Sequence, residues 1–162
     1  MLLGQMTSAT PPPQSAIRHP KIDFHFGVDH RIHYACRVVR KARAADMTVL
    51  AYTRDAGTLA RFDTALWTFS ALDFLPHVYA DSPLAAATPI VLSLDAAGAP
   101  ARQVLLNLDD DVPPDFEVFF GRFERVIEVV SVDADDRSRA RQRFRRYREC
   151  GFEPVAHEVK GE

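Results

Sequence analysis

Lys21-Ile-Asp-Phe-His-Phe26 alternates polar and apolar residues, the period of a strand with one face toward a core. Beyond Gly27, Asp29 is placed to cap a helix from about His30 to Ala45, with Ile32, Ala35, Cys36, Val39 and Ala42 on its inward face. Asp46-Met-Thr-Val-Leu-Ala-Tyr52 then forms a short apolar run, as expected of a parallel strand covered on both faces. Residues 54–66 read as a second helix with Leu59, Phe62, Ala65 and Leu66 inward. Strand, helix, strand, helix implies crossover connections onto a parallel sheet.

The rest of the chain extends that pattern. Pro89-Ile-Val-Leu-Ser-Leu94, Gln103-Val-Leu-Leu-Asn-Leu108 and Arg125-Val-Ile-Glu-Val-Val130 are strand-like, and a last strand falls around Val155 to Val159. Pro113-Pro114 opens a short helix carrying Phe116, Phe119 and Phe120. The expected fold is one α/β domain over residues 21–162, three layers with a mostly parallel sheet flanked by helices. It is Rossmann-like but without a nucleotide-binding loop. Residues 1–20, with Thr10-Pro-Pro-Pro-Gln-Ser, lack either period and read as a flexible leader outside it.

Composition narrows the function. The 162 residues suit one core, and the net charge of −2 conceals a division. Seven of the 20 basic residues lie between Arg137 and Arg148, leaving 13 against 22 acids elsewhere, a formal −9. A chain that is basic throughout and binds nucleic acid is thereby disfavoured, whereas one basic patch suits an acidic partner. Cys36 and Cys150 lie in no metal or redox spacing and read as reduced thiols of a cytoplasmic protein. No apolar run approaches a membrane span.

Catalytic and cofactor signatures are weak. Gly27-Val-Asp-His-Arg31 after the first strand matches neither GxGxxG nor a P-loop, so no nucleotide cofactor is expected. Asp109-Asp110-Asp111 follows a strand, where metal-dependent phosphoryl-transfer enzymes keep acids, yet Val112-Pro113-Pro114 favours a turn and helix entry. His25, Asp29, His30 and His33 lack a third well-spaced metal ligand. Neither a GxSxG elbow nor a nucleophile motif is present.

Two stretches stand out. Asp136-Arg-Ser-Arg-Ala-Arg-Gln-Arg-Phe-Arg-Arg-Tyr-Arg-Glu-Cys150 is free of Gly and Pro and stops at Gly151, the marks of a helix. At about 100° per residue, Ala140, Phe144 and Tyr147 form an apolar stripe, with Arg137, Arg141, Arg145 and Arg148 along one edge. Arg139, Arg143 and Arg146 fall on the far side. Guanidinium forks beside a ring can receive an acidic peptide, a phosphate or a terminal carboxylate; a merely solvated face has the same pattern. The second stretch, Leu66-Trp67-Thr-Phe69-Ser-Ala-Leu-Asp-Phe74-Leu-Pro76-His77, crowds aromatics into a connector. It reads either as a core cap or as a protein-docking patch.

Ala65-Leu-Trp67-Thr-Phe-Ser-Ala-Leu-Asp-Phe74-Leu-Pro-His77, Leu106-Asn-Leu-Asp-Asp-Asp-Val-Pro113, Arg122-Phe-Glu-Arg-Val-Ile-Glu-Val-Val130 and the block from Arg141 to Phe152 resemble the chi subunit family of bacterial DNA polymerase III. The blocks run in family order from about Ile22 to Val159. The resemblance implies a non-catalytic accessory subunit of the clamp-loader complex. It implies two protein partners: the acidic C-terminal tail of single-stranded DNA-binding protein, ending in a Pro-Phe carboxylate, and the psi subunit. The family's tail-binding positions fall on Arg141, Phe144 and Arg145, and Arg148 continues their row. Its psi contact falls on the aromatic connector, with Trp67 and Phe74 foremost and Phe69 and Pro76 beside them. No direct sequence-specific nucleic-acid contact and no membrane contact are expected. The alternative is a direct single-strand binder using the Arg-rich helix, which the −9 remainder argues against.

Overall fold

The computed structural model describes residues 19–69 and 74–160. The leader expected over residues 1–20 lies almost wholly outside them. At its end Pro20 is buried and the His19 ring stacks on Phe152 at 4.6 Å.

Seven parallel strands are present among the described residues: β1 (Lys21–Val28), β2 (Val49–Tyr52), β3 (His77–Tyr79), β4 (Ile90–Ser93), β5 (Val104–Asn107), β6 (Arg125–Ser131) and β7 (Val155–Glu158). They stand in the order β3-β4-β2-β5-β6-β1-β7. The helices are α1 (Arg31–Ala44), α2 (Ala56–Thr68), α3 (Phe116–Phe120) and α4 (Ala134–Glu149). A short 3-10 turn at Ala85–Ala87 precedes β4.

Side chains alternate across a strand, so each inner strand feeds two cores. Leu50 and Tyr52 of β2 join Leu105, Val126, Phe116, Phe120 and Tyr147 on the α3/α4 face. Val49 and Ala51 join Leu106, Ile127, Leu59, Phe62 and Val39 on the α1/α2 face. All four β2 residues are buried, which is why that strand reads as a continuous apolar run.

Local chemistry sets the element ends. Asp55 caps α2 by accepting from the Thr58 amide at 3.2 Å. Helix α1 starts one residue later than expected, with His30 in place of Asp29 at its N-cap. Gly27 takes φ +81 inside β1, where the register to β6 slips between Phe26 and Val28. It marks a bulge within the strand, not its end. Strand β3 was not expected: His77, the last residue of the connector, continues through Val78 and Tyr79 as a strand that pairs with Ile90 to Leu92.

Helix α4 departs most from expectation. It begins earlier, capped by Asp133, whose carboxylate accepts from the Asp136 amide at 3.0 Å. Its buried residues are Asp136, Ala140, Arg143 and Tyr147, a stripe at i, i+4, i+7, i+11. Arg143, expected on the far side, is therefore inward and only 1% exposed. Phe144 sits at the stripe's edge, half-buried. Arg143 turns inward because Glu128, fully buried in β6, needs donors. Arg143 Nε donates to Glu128 Oε1 at 3.0 Å, while Tyr147 Oη and Asn107 Nδ2 donate to Oε2 at 2.6 and 2.8 Å. Arg143 also donates to the Asp110 carbonyl.

Removing one member of a buried ion pair strands the other, at a cost of about 3–5 kcal/mol. Arg143→Ala is expected to lose about that much in urea denaturation. A double variant, Arg143→Met with Glu128→Leu, is expected to lose less than Arg143→Ala alone.

Candidate docking site

Helix α4 crosses over β1 to carry the chain from β6 to β7, and the crossing leaves part of the sheet uncovered beside it. The resulting open groove has a volume of about 730 Å³. Phe24 and Phe26 of β1, Val130 of β6 and Ala156 of β7 line it from the sheet, and Ala140 and Phe144 from α4. The Phe144 ring meets Phe24 edge-on at 5.2 Å between centroids. Arg137, Arg141, Arg145 and Arg148 line the same groove from the helix, with Glu149 the acid among the lining residues.

The row expected from helical geometry is thus brought together on one wall, and all four of its arginines are exposed. Arg139 and Arg146 lie elsewhere: Arg139 approaches Asp110 at 3.9 Å, and Arg146 lies over the Phe116 ring at 5.9 Å. Sequence reasoning missed the floor. The alternation places Phe24 and Phe26 on one strand face, but nothing local indicates that α4 buries Phe24 under Phe144 and Tyr147 while leaving Phe26 only partly covered. Glu128 was also missed, though an acid inside Val126-Ile-Glu-Val-Val130 is a signal that some basic or hydroxyl group must reach it.

The aromatic connector divides. Trp67, in the last turn of α2, is 55% exposed and Phe74 is 73% exposed, with their rings 6.2 Å apart. Trp67 also rests on the His77 ring at 4.3 Å. His77 is held from both ends, its Nε2 2.8 Å from Asp63 Oδ1 and its Nδ1 2.7 Å from the Leu75 carbonyl. Pro76 is half-buried between the buried Leu75 and His77. Phe69 belongs to a different neighbourhood, between His33 at 5.1 Å and the Arg40 guanidinium at 5.0 Å. Residues 70–73 of the connector lie outside the described residues.

The acids after β5 are taken up by arginines, Arg54 reaching both Asp109 and, at 3.9 Å, Asp111. Arg54 Nε donates to Asp109 at 2.7 Å, and Arg31 donates to Asp110 at 3.1 Å. Among the described residues no group of three or more His, Cys, Asp or Glu side chains could hold a metal ion. No helix among them is long and apolar enough to cross a membrane.

Burial raises the Tyr147 phenol well above its ordinary range, and the Glu128 carboxylate beside it adds to the rise. Burial likewise pushes Tyr52 up to about 12, with Asp109 contributing. Burial alone would lower the pKa of Arg143, but Glu128 more than offsets it and the net direction is upward. Burial also raises the Cys36 thiol to about 12.

An all-parallel α/β sheet carrying an open arginine-walled groove beside an edge strand defines a Rossmann-like protein with a basic groove on its surface. Residues 20–155 match the family described as "DNA polymerase III chi subunit, HolC", and the chain belongs to that family. It is 33% identical over 129 residues to the DNA polymerase III subunit chi of Pseudomonas aeruginosa, an alignment covering 80% of this chain and 87% of that protein. In overall fold it is similar to a chain in the S. cerevisiae Dbp5 assembly with Nup159, Gle1, IP6 and ADP, at a TM-score of 0.63 and 8% identity. That likeness covers 88% of this chain and 42% of the other, and at such identity it concerns the fold alone.

A phenol that ionises less readily folded than unfolded contributes stability that is fully present below the unfolded pKa, about 10. That stability is lost as pH rises through the folded value. Tyr52 and Tyr147 phenolates are therefore expected to appear together with loss of the circular dichroism signal in an alkaline titration. Tyr147→Phe, which cannot ionise, is expected to shift unfolding to higher pH relative to its own neutral-pH stability. Phenolate absorbance for all four tyrosines before any unfolding would contradict the assignment.

Proposed function

We propose that the chain is a non-catalytic, cytoplasmic adaptor of the DNA polymerase III holoenzyme. It links the clamp loader, through psi, to the acidic C-terminal tail of single-stranded DNA-binding protein. The observation that carries this reading is the groove with four exposed arginines on one wall and phenylalanines in its floor.

The chemistry fits a short acidic peptide with an aromatic end. The arginine wall steers an acidic tail toward the groove, an attraction that weakens with salt. A terminal carboxylate accepts two parallel N–H bonds from Arg141 or Arg145, and Arg148 extends the field along the same wall. The last aromatic ring of the tail packs against Phe144 and the Phe24 edge beneath it. Such a site is modest for one peptide and gains through the several tails of an oligomeric partner. On the opposite side of the domain, Trp67 and Phe74 offer psi an exposed aromatic pair, backed by Pro76, with Phe69 at the margin.

A fluorescent tail peptide is expected to bind the intact chain at low salt and to weaken as salt rises. Hydrogen bonds to charged groups contribute roughly 1.5–3 kcal/mol, so Arg141→Ala and Arg145→Ala are each expected to cost about tenfold or more. Equal affinity for wild type and both variants would refute the tail site. In a pull-down with psi, Trp67→Ala and Phe74→Ala are each expected to reduce capture while leaving tail-peptide affinity unchanged. Undiminished capture by both would remove the aromatic pair from that role.

A further inference from the structure

A second basic groove, of about 520 Å³, lies on the other face of the sheet. Arg37, Arg40 and Lys41 of α1 and Arg125 of β6 line it, with Tyr34 and His25 at one end. Helix α1 carries five cations (Arg31, Arg37, Arg40, Lys41 and Arg43) and no acid. Like charges one turn apart, such as Arg37 and Lys41, repel by a few tenths of a kcal/mol. The dipole at the end of α1 offsets this for Lys41 and Arg43 in the last turn. It does not account for Arg37, nor for Arg125, which arrives from a strand 84 positions beyond Lys41. Among the described residues none of Arg37, Lys41 and Arg125 is in a salt bridge.

We propose that this groove holds the sugar-phosphate backbone of single-stranded nucleic acid, without preference for base sequence. Arg37, Lys41 and Arg125, concentrated in one groove and in no salt bridge among the described residues, suit a polyanion. Arg37 lies over the Tyr34 ring at 5.8 Å, which puts a flat aromatic and guanidinium face beside the cations, the pairing on which bases stack without sequence reading. An anionic lipid surface fits less well. Among the described residues the exposed large apolar ones are Trp67, Phe74, Leu84, Leu94, Val118, Val132 and Val155, and none of them lines this groove. The formal −9 outside the Arg-rich helix does not count against the site, because it averages over a body whose cations and acids are segregated in space.

His25 reports on occupancy. Tyr34 Oη lies 2.6 Å from its Nδ1, and the charged or titratable groups around it are His157 of β7, Asp23 of β1, Lys41 of α1 and Arg125 of β6. Burial lowers its pKa first, His157 next, and Lys41 and Arg125 further, while Asp23 opposes them. A phosphate among these cations relieves the repulsion, so the imidazole takes its proton at higher pH when the groove is filled.

The test uses the full chain, a fluorescein-labelled oligothymidylate and anisotropy at several salt concentrations. Binding is expected to weaken with salt, and Arg37→Glu with Lys41→Glu, both on the surface of a helix, is expected to weaken it about tenfold or more. The same variant should bind the tail peptide like wild type, and Arg141→Ala should bind the oligonucleotide like wild type. The His25 ring resonance should titrate at higher pH with oligonucleotide bound. The inference is overturned by an absence of salt-sensitive binding, or by binding that the tail peptide displaces or the α4 variant abolishes. Binding to phosphatidylserine vesicles without binding to oligonucleotide also overturns it. Because the inference does not rest on the tail site, a null result here with intact tail binding removes only this groove.

Discussion

A carboxylate with no exposure to water, Glu128, stands in the middle of a parallel sheet, and the arrangement of the rest follows from satisfying it. Its donors come from a neighbouring strand and from two turns of α4, so the helix can sit on the sheet in one rotation only. Rotating α4 by one residue would swing Arg143 and Tyr147 away by about 100° and leave the charge unpaired. Because that rotation is fixed, so is the direction of every other arginine on the helix. The row from Arg137 to Arg148 faces the uncovered strands because Arg143 faces the sheet. The surface chemistry of α4 is thus set by a bond that no solvent touches.

Much of the fold was legible because its signals are periodic. The alternation in Lys21–Phe26 and the apolar run before Tyr52 identify buried strands without any knowledge of their neighbours. The row of four arginines was legible for the same reason, since helical geometry needs only spacing. Arg143 was not, because residue type argued for solvent and the overriding partner lies 15 positions away in another element. Strand β3, three residues long, is too short for a period of its own and exists because β4 offers it an edge. The groove floor was illegible on principle. It depends on where a crossover helix leaves the sheet bare, a property of topology that no local spacing encodes.

Charge shows the same limit in another form. Arithmetic on the sequence isolates the Arg-rich helix because its cations are consecutive. Arg37, Lys41 and Arg125 form an equally local field, yet the chain disperses them among acids that fold elsewhere. Asp109 and Asp110, for instance, are taken up by Arg54 and Arg31 at the far ends of the strands. A formal total describes the electrostatics of a folded chain only when charge and position are uncorrelated, and here they are correlated on both faces.

The bulge at Gly27 changes the parity of β1. Ile22, Phe24 and Phe26 face α4, and an unbroken strand would send Val28 the same way. Instead Val28 is fully buried in the opposite core, beneath α1 and α2. One residue of left-handed backbone therefore lets a single strand carry the floor of the arginine-walled groove along most of its length and still end as an anchor for the helices behind it. A strand of even parity throughout would have to give up one of the two. Insertions or deletions in β1 on either side of Gly27 are accordingly not equivalent to loop-length changes, since each one exchanges the inner and outer faces of whatever lies between it and the bulge.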